Sequence, residues 1–121
     1  QVGLVARLQH RPSGRTLVVA TTHLTCNFLN PDTQVAQASG LLAALERARR
    51  VPTEPIVLCG DFNSMPNSGV YRLLASGTLP AQHRDLIPRD PSVAPLFPAG
   101  LQHGLDLRSA YGQSQGASLG A

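Results

Sequence analysis

Three polar side chains stand where apolar runs end. His23 closes all but the last residue of "TLVVATTHL" (16–24), and Asp61 and Asn63 flank Phe62 directly after "PIVLCG" (55–60). A carboxylate such as Asp61 is a hard oxygen ligand that can hold Mg²⁺ or polarise an attacking water. The neutral amide of Asn63 can hold that water, or a non-bridging phosphate oxygen, without adding negative charge beside it. An imidazole such as His23 can donate a hydrogen bond to charge that develops on phosphorus. Together they suit metal-assisted phosphoester hydrolysis, with His23, Asp61 and Asn63 catalytic and Asp61 also the metal ligand. Taken singly, each has a plainer reading: an Asp after a strand is more often a turn former, and a His at a strand end more often a satisfied polar group. The chemistry requires that all three meet.

The elements between them decide whether they do. Residues 3–9 alternate in strand fashion, and "HRPSGR" (10–15) carries the Pro and Gly of a hairpin. "TLVVATTHL" is rich in β-branched residues and nearly continuous in apolar character, as a central strand covered on both faces should be. Asn30-Pro31-Asp32 offers a cap, a proline at the first helical position and an acid in the first turn. A helix then runs to about Arg50, with Val35, Ala38, Leu42 and Leu45 in one stripe widened by Leu41 and Ala48. "PIVLC" is a second apolar strand, and 67–76 a second helix capped at Asn67 and ended by Gly77. From Thr78 to about Gly100 prolines recur without period, as in a long surface loop. Order returns at "LQHGLDLRSAYG" (101–112), and the tail 113–121 is of low complexity. A strand, helix and strand in succession form a crossover between parallel strands. Both strand ends then lie on one sheet edge, where open α/β sheets place their sites, and His23 comes near Asp61 and Asn63.

Composition adds little. The net charge of +3 is carried by ten Arg and no Lys, compatible with a polyanionic substrate but equally with an Arg-biased composition. Arg47, Arg49 and Arg50 fall in a last helical turn, where cations favour the helix dipole. The 121 residues make about one domain, and no apolar run approaches the ~18 residues that a membrane span requires. The chain opens on Gln1 inside a strand-like stretch, which points to a start within a larger domain. Cys26 and Cys59 are too few for a disulfide scaffold. With His23 they offer a zinc-site or cysteine-nucleophile alternative, although Cys59, inside an apolar strand, reads as an inert buried thiol. His103 is expected to serve a structural hydrogen bond and His83 to face solvent.

The longer strings "TTHL", "NPDTQVAQASGLL", "PIVLCGDFNSMPNSGVYRLLASGTLP" and "LQHGLDLRSAY" resemble, in order and spacing, the endonuclease/exonuclease/phosphatase superfamily, and within it the branch of carbon catabolite repressor-type deadenylases, nocturnin, Angel proteins and 2′,5′-phosphodiesterase. The resemblance implies part of a deoxyribonuclease-I-like four-layer α/β sandwich over residues 1–112. It implies Mg²⁺- or Mn²⁺-dependent phosphoester cleavage, commonly at RNA 3′ ends such as poly(A), in the company of deadenylase-complex proteins in cytoplasm or nucleus. It maps His23, Asp61 and Asn63 onto the family's active-site histidine, acid and phosphate-orienting amide, and it gives Gln37 a structural role. Gln34 stands where relatives often carry Lys or Arg. The family also needs an Asn and a metal-ligating Glu from upstream strands and an Asp and a His from downstream ones. Glu46 and Glu54 are misplaced to substitute, so the chain is expected to be inactive alone. A 2′,5′-phosphodiesterase, a nucleotide-cofactor phosphatase and a non-catalytic interaction module are the alternatives.

Overall fold

The computed structural model describes residues 3–111. Gly112 and the tail 113–121 lie outside them, so the expectation of a frayed tail falls outside the described residues. Strand β1 (Gly3–Gln9) pairs antiparallel with β2 (Thr16–His23), which pairs in parallel with β3 (Ile56–Asp61), in the order β1-β2-β3. The β1–β2 connection turns on Gly14, at φ +71°, whose N–H donates to His10 O at 2.8 Å. Parallel neighbours cannot be joined by a tight turn, and helix α1 (Pro31–Ala48) makes the crossover. After β3 come α2 (Gly69–Ser76) and a small antiparallel pair, β4 (Thr78–Leu79) with β5 (Leu101–Gln102). A short 3₁₀ turn, Arg84–Leu86, interrupts the loop between β4 and β5.

The stripe expected on α1 is the face that packs. Val35, Ala38, Leu41, Leu42 and Leu45 are buried against Val18 and Ala20 of β2 and join Val70 and Leu73 of α2 in one core. Burying each of the Val and Leu side chains contributes roughly 1.5–3 kcal/mol before chain entropy is counted. The loop 78–100 is better anchored than its sequence suggests: Leu79 and Leu86 are both buried in the same core. Leucines spaced by an irregular backbone leave no periodic trace, so pattern reading could not find them.

Among the described residues, helices cover one face of the sheet. Strand alternation sends Val18 and Ala20 toward α1 and their neighbours the other way, so Leu4, Leu8, Val57 and Cys59 are exposed on the opposite side. This corrects the reading of a strand covered on both faces and of Cys59 as a buried thiol. The Cys59 Sγ instead makes a hydrogen bond to Ala20 O at 3.3 Å. The helix caps differ too. The Asn30 side chain makes no cap bond; Asn27 Oδ1 accepts the Asn30 N–H instead. Helix α1 ends at Ala48, because Arg49 is already extended at ψ 124°. Helix α2 is capped by Ser68 rather than Asn67: Ser68 Oγ accepts the Tyr71 N–H, and Asp85 Oδ2 accepts the Gly69 N–H at 2.6 Å. A turn closed by Ser68 N–H on Met65 O carries the chain one residue past Asn67 before the helix begins. Gly77 ends the helix at φ +80°, as expected.

Candidate active site

The parallel ladder brings the expected residues together. His23 is the register partner of Asp61, the last pair of β2 and β3. Residues paired in a ladder project from the same face, and His23 Nε2 lies 3.6 Å from Asp61 Oδ2 with both side chains largely exposed, at 71% and 64%. Gly60 makes this close approach feasible. Its φ is +137°, and a Cβ there would fall on the backbone of Thr22, on its O and 2.8 Å from its N.

Beyond the ladder the chain is held by side chains. Asp61 Oδ1 accepts the Asn63 N–H at 2.9 Å, closing a tight turn around Phe62, which packs against the core. Asn63 then sits at φ +44°, in the left-handed region that Asn tolerates better than most residues. Its Nδ2 donates to Leu24 O at 2.8 Å, using one of its two N–H groups. The Leu24 N–H donates to Asp61 O at 2.9 Å, so the two strand-end loops continue to track each other past His23. His23 and Asp61 thus lie exposed at one end of the β2–β3 ladder, and Asn63, half-buried, is tied to the same strand ends through Asp61 and Leu24.

Asp61 presents one hard oxygen ligand on a largely exposed side chain, its Oδ1 occupied by the Asn63 N–H and its Oδ2 beside His23 Nε2. Mg²⁺ is commonly held by one or two carboxylates with water and substrate phosphate as the rest of its shell, so this donor fits such an ion as one ligand of a larger set. Among the described residues no three of His, Cys, Asp and Glu gather as a metal cluster.

The glutamates are elsewhere. Glu54 is buried at the opposite end of β3, where Arg7 Nη2 donates to its Oε2 at 2.6 Å, Thr16 Oγ1 donates to the same oxygen, and the Arg50 N–H reaches Oε1. Those partners, Arg7 first, hold its pKa down at about 2. Glu46 accepts the Gly104 N–H instead. His103 Nδ1 accepts the Leu105 N–H, so its Nε2 carries the proton donated to Leu73 O at 2.7 Å, the structural bond anticipated for it. His83 is part-buried and caps the 3₁₀ turn through the Asp85 N–H, which differs from the expected solvent-facing ring.

Two glutamines of α1 complete the arrangement. Gln37 Oε1 accepts the Thr25 N–H at 2.9 Å, the structural role expected of it. Gln34, which sequence reasoning left as a departure, is buried, and its Nε2 donates to both Thr25 O and Asn63 O. Gln34 stands beside Val35 and one turn before Ala38 of the apolar stripe, but a lone glutamine there carries no local mark of the carbonyls it meets.

The model of the Endonuclease/Exonuclease/phosphatase family matches residues 3–116. This chain belongs to that family. A Ccr4 3′-5′-exoribonuclease subunit of the CCR4-Not complex from Yarrowia lipolytica is 32% identical over 91% of the chain, and Xenopus laevis nocturnin is 39% identical over 65%. Among solved structures, ANGEL2, a 2′,3′-cyclic phosphatase, superposes with a TM-score of 0.73 at 26% identity over 91% of the chain, and the human nocturnin catalytic domain with 0.58 at 29% identity over 71%. The family's deoxyribonuclease-I-like α/β fold is thus the fold of this chain. The chain spans 18% and 20% of the length of those two curated relatives and 41% of the ANGEL2 chain.

Proposed function

We propose that the rim formed by His23, Asp61 and Asn63 is part of the active centre of a divalent-metal-dependent phosphoesterase, of the 3′-5′ exoribonuclease type that shortens poly(A). The observation that carries it is the His23–Asp61 register pair, with Asn63 folded back on Leu24 beside it. The similarity to Ccr4 subunits over 91% of the chain supports RNA as the substrate class and a deadenylase complex as the setting.

In this reading Asp61 is the ligand through which the protein would hold Mg²⁺ or Mn²⁺. A bound cation of this kind neutralises charge on the phosphate and lowers the pKa of water. Asp61 Oδ1, by accepting the Asn63 N–H, fixes the orientation of its own carboxylate. The remaining Nδ2–H of Asn63 binds a non-bridging phosphate oxygen, and His23 donates from Nε2 to the charge that grows there. The exposed apolar face of the sheet supports a further part of the reading. The chain works inside a larger catalytic domain that covers Leu4, Leu8 and Val57 and brings the remaining acidic ligands to the rim, and it is inactive by itself.

A second reading is a phosphatase of RNA ends, favoured by the TM-score of 0.73 to ANGEL2. The intact protein assayed against poly(A), 2′,5′-linked oligoadenylate, a 2′,3′-cyclic phosphate end and NADPH, with and without EDTA, separates them. EDTA-sensitive nucleotide release from poly(A) is the expected result. Turnover of the cyclic end alone selects the second reading, and metal-independent turnover rejects both.

A further inference from the structure

Two polar side chains are buried among the described residues, Gln34 and Glu54, at 5% exposure each. A buried polar group costs free energy unless it is hydrogen-bonded, so each marks a place where something is being held. Glu54 is accounted for by Arg7, Thr16 and the Arg50 N–H, which clamp the N-terminal end of β3. Gln34 lies at the other end of the sheet.

We infer that Gln34 is a positioning residue of the proposed active centre, the group that sets the orientation of Asn63 relative to His23 and Asp61; this rests on the phosphoesterase reading above. Its Nε2 has two hydrogens and spends them on the two strand-end loops, donating to Thr25 O at 2.7 Å and to Asn63 O at 3.0 Å. Thr25 is two residues from His23, and Asn63 two from Asp61. One amide nitrogen, carried on a helix that packs against β2, therefore ties the two loops to α1 as well as to each other.

Asn63 shows why such a clamp matters. It is held in the left-handed region at φ +44° by three bonds: its N–H on Asp61 Oδ1, its Nδ2 on Leu24 O, and its carbonyl under Gln34 Nε2. The first two come from the strand ends, Asp61 closing β3 and Leu24 following β2. Only the third is anchored in α1, whose neighbouring Val35 and Ala38 are buried in the core. An unusual backbone conformation persists where the surroundings over-determine it, and Gln34 is the fixed point. The carbonyl acceptors call for a donor, so a Lys, which also donates, can replace Gln34, whereas a Met of similar length cannot and a Glu would oppose both carbonyls.

The test uses the intact protein with Gln34→Met, Gln34→Glu and Gln34→Lys. Geometry displaced by an ångström costs up to about 100-fold in rate. In Gln34→Met, kcat is expected to fall about 10- to 100-fold on that scale with KM within about threefold, and Gln34→Lys to recover most of it. Hydrogen exchange is read in parallel: the Asn63 and Thr25 amides are expected to exchange at least about tenfold faster in Gln34→Met while core amides of α1 keep wild-type rates. Should Gln34→Met fail to fold, the comparison of Gln34→Lys with Gln34→Glu decides, the first expected active and the second impaired. Wild-type kcat and wild-type exchange in Gln34→Met overturn the inference, as does a Lys variant no better than Met or Glu. If the wild type itself lacks phosphoesterase activity, the functional reading fails, and the exchange result still decides whether Gln34 fixes the loops.

Discussion

At the scale of single residues, the proposed catalytic rim and the structural charges sit at opposite ends of one sheet, and their electrostatics differ accordingly. His23 and Asp61 face water, whereas Glu54 is enclosed by Arg7 and Thr16. Because the folded pKa of Glu54, about 2, lies below its ordinary value of 4.5, the unfolded chain binds more protons between those values. The contribution to stability is therefore complete above pH about 5 and is lost as pH falls toward 2. Thermal midpoints measured from pH 6 to 2 should fall in the wild type, and Glu54→Gln should flatten that part of the curve. A parallel slope in both would assign the acid sensitivity elsewhere. That His23, Asp61 and Asn63 come together was legible in the sequence because they end apolar runs on neighbouring strands. Gln34 was not, because a glutamine on a helix is ordinary until its stripe is seen to be buried.

Among the elements, the β2–β3 ladder determines the geometry of the rim, and Gly60 is its narrowest point. Gly60→Ala would drive a Cβ into the Thr22 backbone at a positive φ. It should destabilise the protein by at least ~1 kcal/mol and reduce turnover by shifting His23 against Asp61; unchanged stability by denaturant titration would contradict the ladder geometry. The cap of α2 offers a cleaner contrast. Ser68→Ala should cost about 1 kcal/mol, while Asn67→Ala should stay within about 0.5 kcal/mol, because only the Asn67 carbonyl is used, by Arg84. Equal effects would restore Asn67 as the cap. Helices, parallel strands and the Gly77 stop were readable because periodicity and turn chemistry are local. The cap slipped by one residue because the Met65–Ser68 turn and the Asp85 carboxylate come from outside the helix, and the order in the 78–100 loop was hidden because Leu79 and Leu86 are fixed by the core they enter.

For the molecule as a whole, one face of the sheet is packed and the other is apolar and open. The strand pattern expected coverage on both sides, and the described residues provide it on one. The proposal that a larger domain covers this face makes Cys59 a reporter, since its side chain lies among the exposed residues of that face. In the isolated 121-residue polypeptide it should react with a thiol reagent at the rate of an accessible cysteine, and in the intact protein at least about tenfold more slowly, the scale expected when local opening must precede reaction. Equal rates would leave the face open in both. The same proposal explains how one carboxylate at the rim can belong to a metal centre: its companions arrive on the covering part.

The central claim is that His23, Asp61 and Asn63 act together on a phosphate. It is tested most directly by Mg²⁺-dependent release of nucleotides from poly(A) by the intact protein and by its Asp61→Ala and Asn63→Ala variants, with folding monitored by thermal unfolding. Both variants should keep a cooperative transition near the wild-type midpoint and lose the EDTA-sensitive activity; retained turnover in both rejects a joint role for these residues.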